Sequence, residues 1–327
     1  MAERTMIEAI RLALHEAMTE DDSVVVLGED VGVDGGVFRA TEGLHEEFGP
    51  WRVFDSPLAE AVIVGASVGM AIAGARPVCE LQFSGFSYLG FHQLEEHAAR
   101  MRWRSRGRFS VPMVVRMPYG AGVRALEHHS ESKEVIFAHV PGLTTVIPSG
   151  PRSARALLAA AIRSPDPVVF LEPKSIYRSF REEVPDEPEV GDLRSARRVR
   201  EGDDITLVAW GAMVRRTQEA ADELADDGIE CDVIDLRTVS PLDESSIVES
   251  AQRTGRVAIV HEAHRSFGPA GEIIARLVEQ AFWQLEAPIA RVTGYDVHVP
   301  YFAREQAYLP DGDRIAEAIR ATVEEPS

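Results

Sequence analysis

Asp55-Ser-Pro-Leu-Ala-Glu60-Ala-Val-Ile-Val-Gly65-Ala-Ser67-Val-Gly69-Met-Ala-Ile-Ala-Gly74 places one carboxylate, Glu60, at the head of a run of Ala, Val, Ile and Gly. Asp55-Ser56-Pro57 reads as a helix start, with an Asp or Ser cap and Pro in the first turn. Glu60 then falls in or just before that turn. The residues after it show almost no polar face, which predicts a helix buried all round. Gly65 and Gly69, four apart, predict the close approach of another backbone on one side. A carboxylate in such surroundings costs roughly several kcal/mol unless it is paired, protonated or bound to a ligand. Two readings follow: a side chain capping its own helix at a solvated rim, or an acid/base group facing a ligand between packed helices.

Around this helix, strand-like and helix-like segments alternate, the mark of an α/β protein with mainly parallel sheets. Thr5 and Glu8 form a capping-box pattern ahead of Ile7, Ile10, Leu14 and Ala17. Strands are predicted at Val24–Leu27, Pro77–Phe83, Pro112–Met117, Leu143–Ile147 and Val168–Leu171, with helices at His92–Arg104 and Ser153–Arg163. Arg181-Glu-Glu-Val-Pro-Asp-Glu-Pro-Glu189 is charged and aperiodic and reads as a linker. Four further strands, Ile205–Trp210, Cys231–Leu236, Val257–Val260 and Ile289–Val292, predict a second, smaller α/β domain. The expected division is 1–185 and 186–327.

At 327 residues the chain has room for two cores. No apolar run is long enough to span a membrane, and Met1-Ala-Glu-Arg-Thr5 lacks a signal-peptide core, so a cytoplasmic protein is expected. Cys79 and Cys231 lie far apart in apolar runs and read as buried thiols in a reducing compartment. A net charge of −19 argues against nucleic acid as partner. Only Lys133 and Lys174 are lysines, the other basic residues being arginine. Such an acidic, lysine-poor surface suits concentrated salt, where repulsion is screened; indifference of stability to molar KCl would remove that hypothesis.

Two short motifs carry nothing. Gly65-Ala-Ser67-Val-Gly69 matches the hydrolase nucleophile pattern, but its serine falls inside a helix where that chemistry needs a strained turn after a strand. His261-Glu-Ala-His264 has two histidines three apart without a third ligand. Neither a Walker loop nor a dinucleotide Gly-x-Gly-x-x-Gly is present.

Four segments of the first domain belong together: Gly28-Glu29-Asp30-Val31, the start of the Glu60 helix, Glu80-Leu-Gln82-Phe83 and Glu127-His128-His129-Ser130. Three of them fall at carboxyl ends of strands or in adjacent loops, where parallel sheets place ligands. This set resembles the β subunit of the thiamine-diphosphate-dependent E1 component of 2-oxo acid dehydrogenase complexes. The likeness continues through Gly35-Gly-Val-Phe-Arg39, Leu171-Glu-Pro-Lys-Ser-Ile-Tyr177, Val208-Ala-Trp-Gly211, Asp235-Leu-Arg-Thr238 and Arg291-Val-Thr-Gly-Tyr-Asp296, over nearly the whole chain.

The resemblance implies a transketolase-like pyrimidine-binding domain followed by a transketolase C-terminal-type domain. It implies that Glu60 bonds N1′ of the cofactor aminopyrimidine, sharing a proton that favours the imino form needed to deprotonate thiamine C2. Leu58 and Phe86 would flank that ring, Gln82 would approach it, and Glu29 would lie beside the pocket. Phe86 stands where many relatives carry Tyr. His129 corresponds to the histidine implicated in reductive acylation of the lipoyl group, with His128 the weaker candidate. Neutral imidazole near pH 7 suits proton transfer to a dithiolane sulfur.

An absence is equally informative. The Gly-Asp-Gly motif that holds Mg2+ and the diphosphate is missing, since Gly312-Asp313-Arg314 lacks its context. In the family those residues sit on a separate α subunit, so the resemblance implies half an active site within an α2β2 heterotetramer. It further implies a potassium ion held by carbonyls in Val111–Val114 and around Ala161, Ser164 and Asp166, and docking of lipoyl-bearing E2 by the second domain. The reaction expected is lipoamide-acylating oxidation of a 2-oxo acid, a branched-chain acid or pyruvate, with Leu171–Arg178 resembling the branched-chain and archaeal-type members more than the mitochondrial pyruvate enzymes. An acetoin dehydrogenase β subunit and a split transketolase-like ketol transferase are the alternatives.

Overall fold

A computed structural model describes residues 1–324. Two sheets dominate it. The larger has seven strands in the spatial order Thr238–Ser240, Thr144–Val146, Val168–Pro173, Val114–Tyr119, Arg76–Glu80, Val24–Gly28 and Val53–Asp55. All pair in parallel except Thr238–Ser240, which is antiparallel at one edge. The smaller has five strands in the order Ala290–Gly294, Val257–His264, Ile205–Ala209, Cys231–Asp235 and Arg197–Arg200, the last antiparallel.

Both faces of the large sheet are covered, so its strands read as unbroken apolar runs. Val24, Val26, Val168 and Phe170 pack with the helices Met6–Glu20 and Pro151–Arg163. Leu27, Cys79, Val169 and Leu171, pointing the other way, pack with Ile63, Val64 and Leu94. The first helix has the predicted box: Thr5 Oγ1 accepts from the Glu8 amide, and the Glu8 carboxylate accepts from the Thr5 amide at 2.7 Å. Both cysteines are buried and free.

Five expectations need correction. The helix after Asp55 runs Glu60–Ile72 with Ala59 at its N-cap. Asp55 ends a strand instead, and its Oδ1 accepts the Gly32 amide at 2.6 Å. That helix is not buried all round: Val62, Ala66, Gly69 and Ala73 form an exposed stripe. Gly65 meets only the Gln93 side chain and Gly69 meets nothing; the close approach is made by Gly90, where a Cβ would stand 3.3 Å from the Glu60 carbonyl. The segment 181–189 is partly structured, with Glu182–Val184 pairing antiparallel with Ala2–Arg4. The helix predicted over His92–Arg104 begins earlier, at Tyr88, and widens to a π-helical segment over Gln93–Ala98.

Candidate active site

Gly28, at the end of its strand, lies opposite both Asp55 and Glu80. Three adjacent strands therefore end together, and Glu29, the turn leading to Glu60, and Gln82 issue from that one edge. The next strand ends at Tyr119 and leads into the loop that carries His129. Parallel pairing puts the ends of these strands, and the segments that leave them, on one side of the sheet.

Glu60 is the first residue of its helix, where the helix dipole favours a carboxylate. It is 5% exposed, and its Oε2 is buried with no hydrogen-bond partner among the described residues. An orphaned buried oxygen is costly, about 1–3 kcal/mol, and marks a place where a donor belongs. Glu29, 7% exposed, feels the same setting: burial, then the Glu60 charge, then Asp30 push its carboxyl above the usual range. Asp30 adopts a left-handed backbone (φ 58°) and accepts from the Gln82 amide at 3.1 Å.

Phe83, Phe86, His128 and His129 form one aromatic group. The His129 ring lies 4.4 Å from Phe83 edge-on, 5.3 Å from Phe86 and 4.1 Å from His128, centroid to centroid. Burial, then the charges of His128 and Lys174, hold the His129 imidazole below its ordinary pKa, keeping it neutral. Leu58 is 78% exposed at the outer rim. Of the residues singled out in the sequence, the fold brings Glu29 beside Glu60, Gln82 against Asp30, and Phe86 against His129.

Beneath this edge lies a network that the sequence reading missed. Arg116 is fully buried between two carboxylates, reaching Glu80 at 2.7 Å and Glu172 through two bonds at 2.7 and 3.0 Å. Tyr177 donates to Glu172 at 2.6 Å. Glu80 and Arg116 are register partners across the sheet. The available signal was a pair of opposite charges set into apolar strands, Val-Val-Arg116-Met and Phe-Leu-Glu172-Pro, which burial compels to meet.

Ala161, Ser164 and Asp166 form one turn, but their carbonyls are engaged. The Ala161 carbonyl accepts the Ser164 amide at 3.1 Å, and the Asp166 carbonyl accepts Ser164 Oγ at 2.9 Å. The Arg76 guanidinium donates to the Ser164 and Ile162 carbonyls at 3.3 and 2.8 Å. The Arg76 guanidinium thus brings a positive charge to the turn expected to hold potassium. Gly312 begins the helix Gly312–Glu324 of the second sheet's domain, remote in kind from a diphosphate loop. His261 is buried, stacked at 5.0 Å on Trp210, and His264 Nε2 bonds the Val297 carbonyl at 2.9 Å.

Similarity to known proteins agrees with this geometry. The family "Transketolase, pyrimidine binding domain" matches residues 2–179 and "Transketolase, C-terminal domain" matches residues 194–315. The chain is 51% identical over 320 residues to the pyruvate dehydrogenase E1 component subunit beta of Acholeplasma laidlawii, covering 98% of each. It is 49% identical to the protein of the same description from Staphylococcus epidermidis, covering 99% of this chain and 100% of that one. Among solved structures, a split gene transketolase, an inactive beta4 tetramer, superposes with a TM-score of 0.82 at 22% identity over the whole of both chains. A transketolase mutant from Pichia stipitis gives 0.72 at 13% identity, covering 99% of this chain and 46% of that one; these two establish the fold alone. A transketolase-type pair of domains, matched end to end by such relatives, places this chain in the family of pyruvate dehydrogenase E1 component β subunits.

Proposed function

We propose that this chain is the β half of an α2β2 E1 component that oxidatively decarboxylates pyruvate and passes the acyl group to lipoyl-bearing E2. The observation that carries the reading is the buried, unpartnered Oε2 of Glu60 at the carboxyl edge of the sheet. That atom fits an aminopyrimidine N1′, and thiamine diphosphate, when bound, supplies the carbon nucleophile that adds to the oxo acid and stabilises the charge left by decarboxylation. Glu60 holds the shared proton at Oε2. Glu29 lies beside it, its carboxyl pushed above the usual range by burial and by the Glu60 charge. Leu58, Gln82 and Phe86 form the wall of the ring pocket. Neutral His129 is placed to give or take a proton at a dithiolane sulfur, and Phe83 and Phe86 hold its ring edge-on and exclude water.

Mg2+ and the diphosphate belong to the α subunit, because this chain offers no Gly-Asp-Gly loop. No described helix is long and apolar enough to cross a membrane; a cytoplasmic site of action is part of the proposal.

The test is co-expression with an E1 α subunit and assay with a lipoyl domain. Lipoyl acylation from pyruvate is the expected result. Preferential acylation from branched-chain oxo acids or cleavage of acetoin would reassign the substrate, and ketol transfer between sugar phosphates without lipoyl acylation would overturn the reading.

A further inference from the structure

The loop that carries His129 is held at its root by the other domain. It leaves the strand Val114–Tyr119 at Gly120, whose amide bonds the Glu131 carbonyl at 3.2 Å and so closes the loop on itself. The next amides point away from the first domain. Ala121 donates to Glu262 Oε2 at 2.9 Å, Gly122 to Glu305 Oε1 at 2.9 Å and Arg124 to Glu305 Oε2 at 2.7 Å. Glu262 comes from the strand Val257–His264 and Glu305 begins the helix Glu305–Tyr308. Gly120 (φ +82°) is what lets the carboxylate in, since a Cβ there would stand 2.5 Å from Glu262 Oε1.

Both carboxylates are buried, and the only ammonium near them is Lys174. Its Nζ is buried without a hydrogen-bond partner among the described residues, and its charge reaches Glu262, Glu305 and His129 alike. Glu262 also feels the Arg216 guanidinium, but among the described residues neither carboxylate is bonded by a basic side chain, a costly arrangement for stability alone. Their short, charge-assisted bonds go to loop amides, a strong and directional use of buried charge. In a chain that otherwise relies on arginine, a compact ammonium here balances the charge without competing for the carboxylate oxygens.

We infer that Glu262 and Glu305 are positioning residues for His129: the second domain fixes the root of the histidine loop, so that the imidazole meets the acyl acceptor from a backbone that does not drift. This rests on the role given to His129 above.

The experiment uses the reconstituted α2β2 enzyme carrying Glu262→Gln, with Glu305→Gln as a second variant should the first fail to assemble. Hydrogen exchange over 120–131 is read alongside the ratio of lipoyl acylation to decarboxylation linked to an artificial electron acceptor. Loss of bonds to a charged acceptor is expected to speed exchange in that segment about tenfold or more. The ratio is expected to fall by about 10²-fold, the effect of roughly ångström-scale misplacement, with KM for the oxo acid unchanged. Unchanged exchange would overturn the clamp. Faster exchange with an unchanged ratio would overturn its service to His129. His129→Ala enzyme with an undiminished ratio would instead sink the role of His129 itself, with the exchange result still standing for the clamp.

Discussion

The backbone carbonyl of His128 occupies the space that a β-carbon on Gly85 would need. The turn Ser84–Phe86 and the turn Glu127–His129 thus touch backbone to backbone, and Ser84 Oγ adds a bond to the Glu131 carbonyl at 2.8 Å. Phe86 reaches the histidine rings because nothing separates the two turns. A Gly85→Ala substitution should push the loop outward, costing about 1–3 kcal/mol of stability. Lipoyl acylation should fall by about 10²-fold. Parallel assays of unfolding and acylation check both, and wild-type acylation in Gly85→Ala would refute the packing argument.

Glu60→Gln keeps the shape of the side chain and removes the carboxylate to which the proposed function gives the shared proton. Decarboxylation in the assembled enzyme should drop by about 10²–10⁴-fold. The isolated chain should be no less stable, because the substitution removes a buried, unpartnered carboxylate oxygen. Urea unfolding of the β chain beside turnover of the heterotetramer separates the two effects.

His261 governs a pH effect remote from the site. Burial holds its imidazole down from 6.5 to about 3. The unfolded chain takes up that proton below about pH 6.5 and the folded chain does not, so stability is lost as pH falls from 6.5 toward 3, by about 1.4 kcal/mol per pH unit from this group. In His261→Phe the stack on Trp210 can persist and this contribution disappears. Denaturation midpoints at pH 7.5 and 5.5 should therefore diverge less in the variant than in the wild type; equal divergence would refute the assignment.

The exposed stripe Val62, Ala66, Gly69 and Ala73 runs along the helix whose first residue is Glu60, and Val62 is 60% exposed. An apolar face of small residues beside the site is a fitting seat for another subunit. Val62→Arg should leave the β chain folded and weaken assembly with the α subunit. Native mass spectrometry of the mixture reads this directly, and intact α2β2 at wild-type concentrations would count against the stripe as an interface.

Arg76 already satisfies the turn around Ser164. Replacing K+ by Na+ should therefore leave the melting temperature unchanged. A potassium-specific rise in thermal stability would show that the turn takes up the ion after all.

Much of the candidate site was legible in the chain because its residues follow strand ends, and strand ends are announced by valine runs that stop at Gly28 or Glu80. The helix start was harder. Asp55-Ser56-Pro57 is a good cap pattern, but the parallel pairing of Val53–Asp55 with Val26–Gly28 draws Asp55 into the sheet, and tertiary pairing outweighs a local cap. The exposed stripe could not be foreseen: a face of Val, Ala and Gly looks the same whether its own chain or another covers it. Nor could the charges of Glu262 and Glu305 be connected to residues 121–124, because more than a hundred residues separate them and only the docking of two domains brings them together.

The short strand Thr238–Ser240 lies well past the last helix of the pyrimidine-binding region, yet it finishes that region's sheet by pairing with Thr144–Val146. Autonomy of the two halves is thereby forfeited. Cut between them, the first half would bare a valine-bearing border with free amides and carbonyls, the kind of surface on which chains stick to one another. This seam, sewn with a borrowed strand, has to stay within one polypeptide.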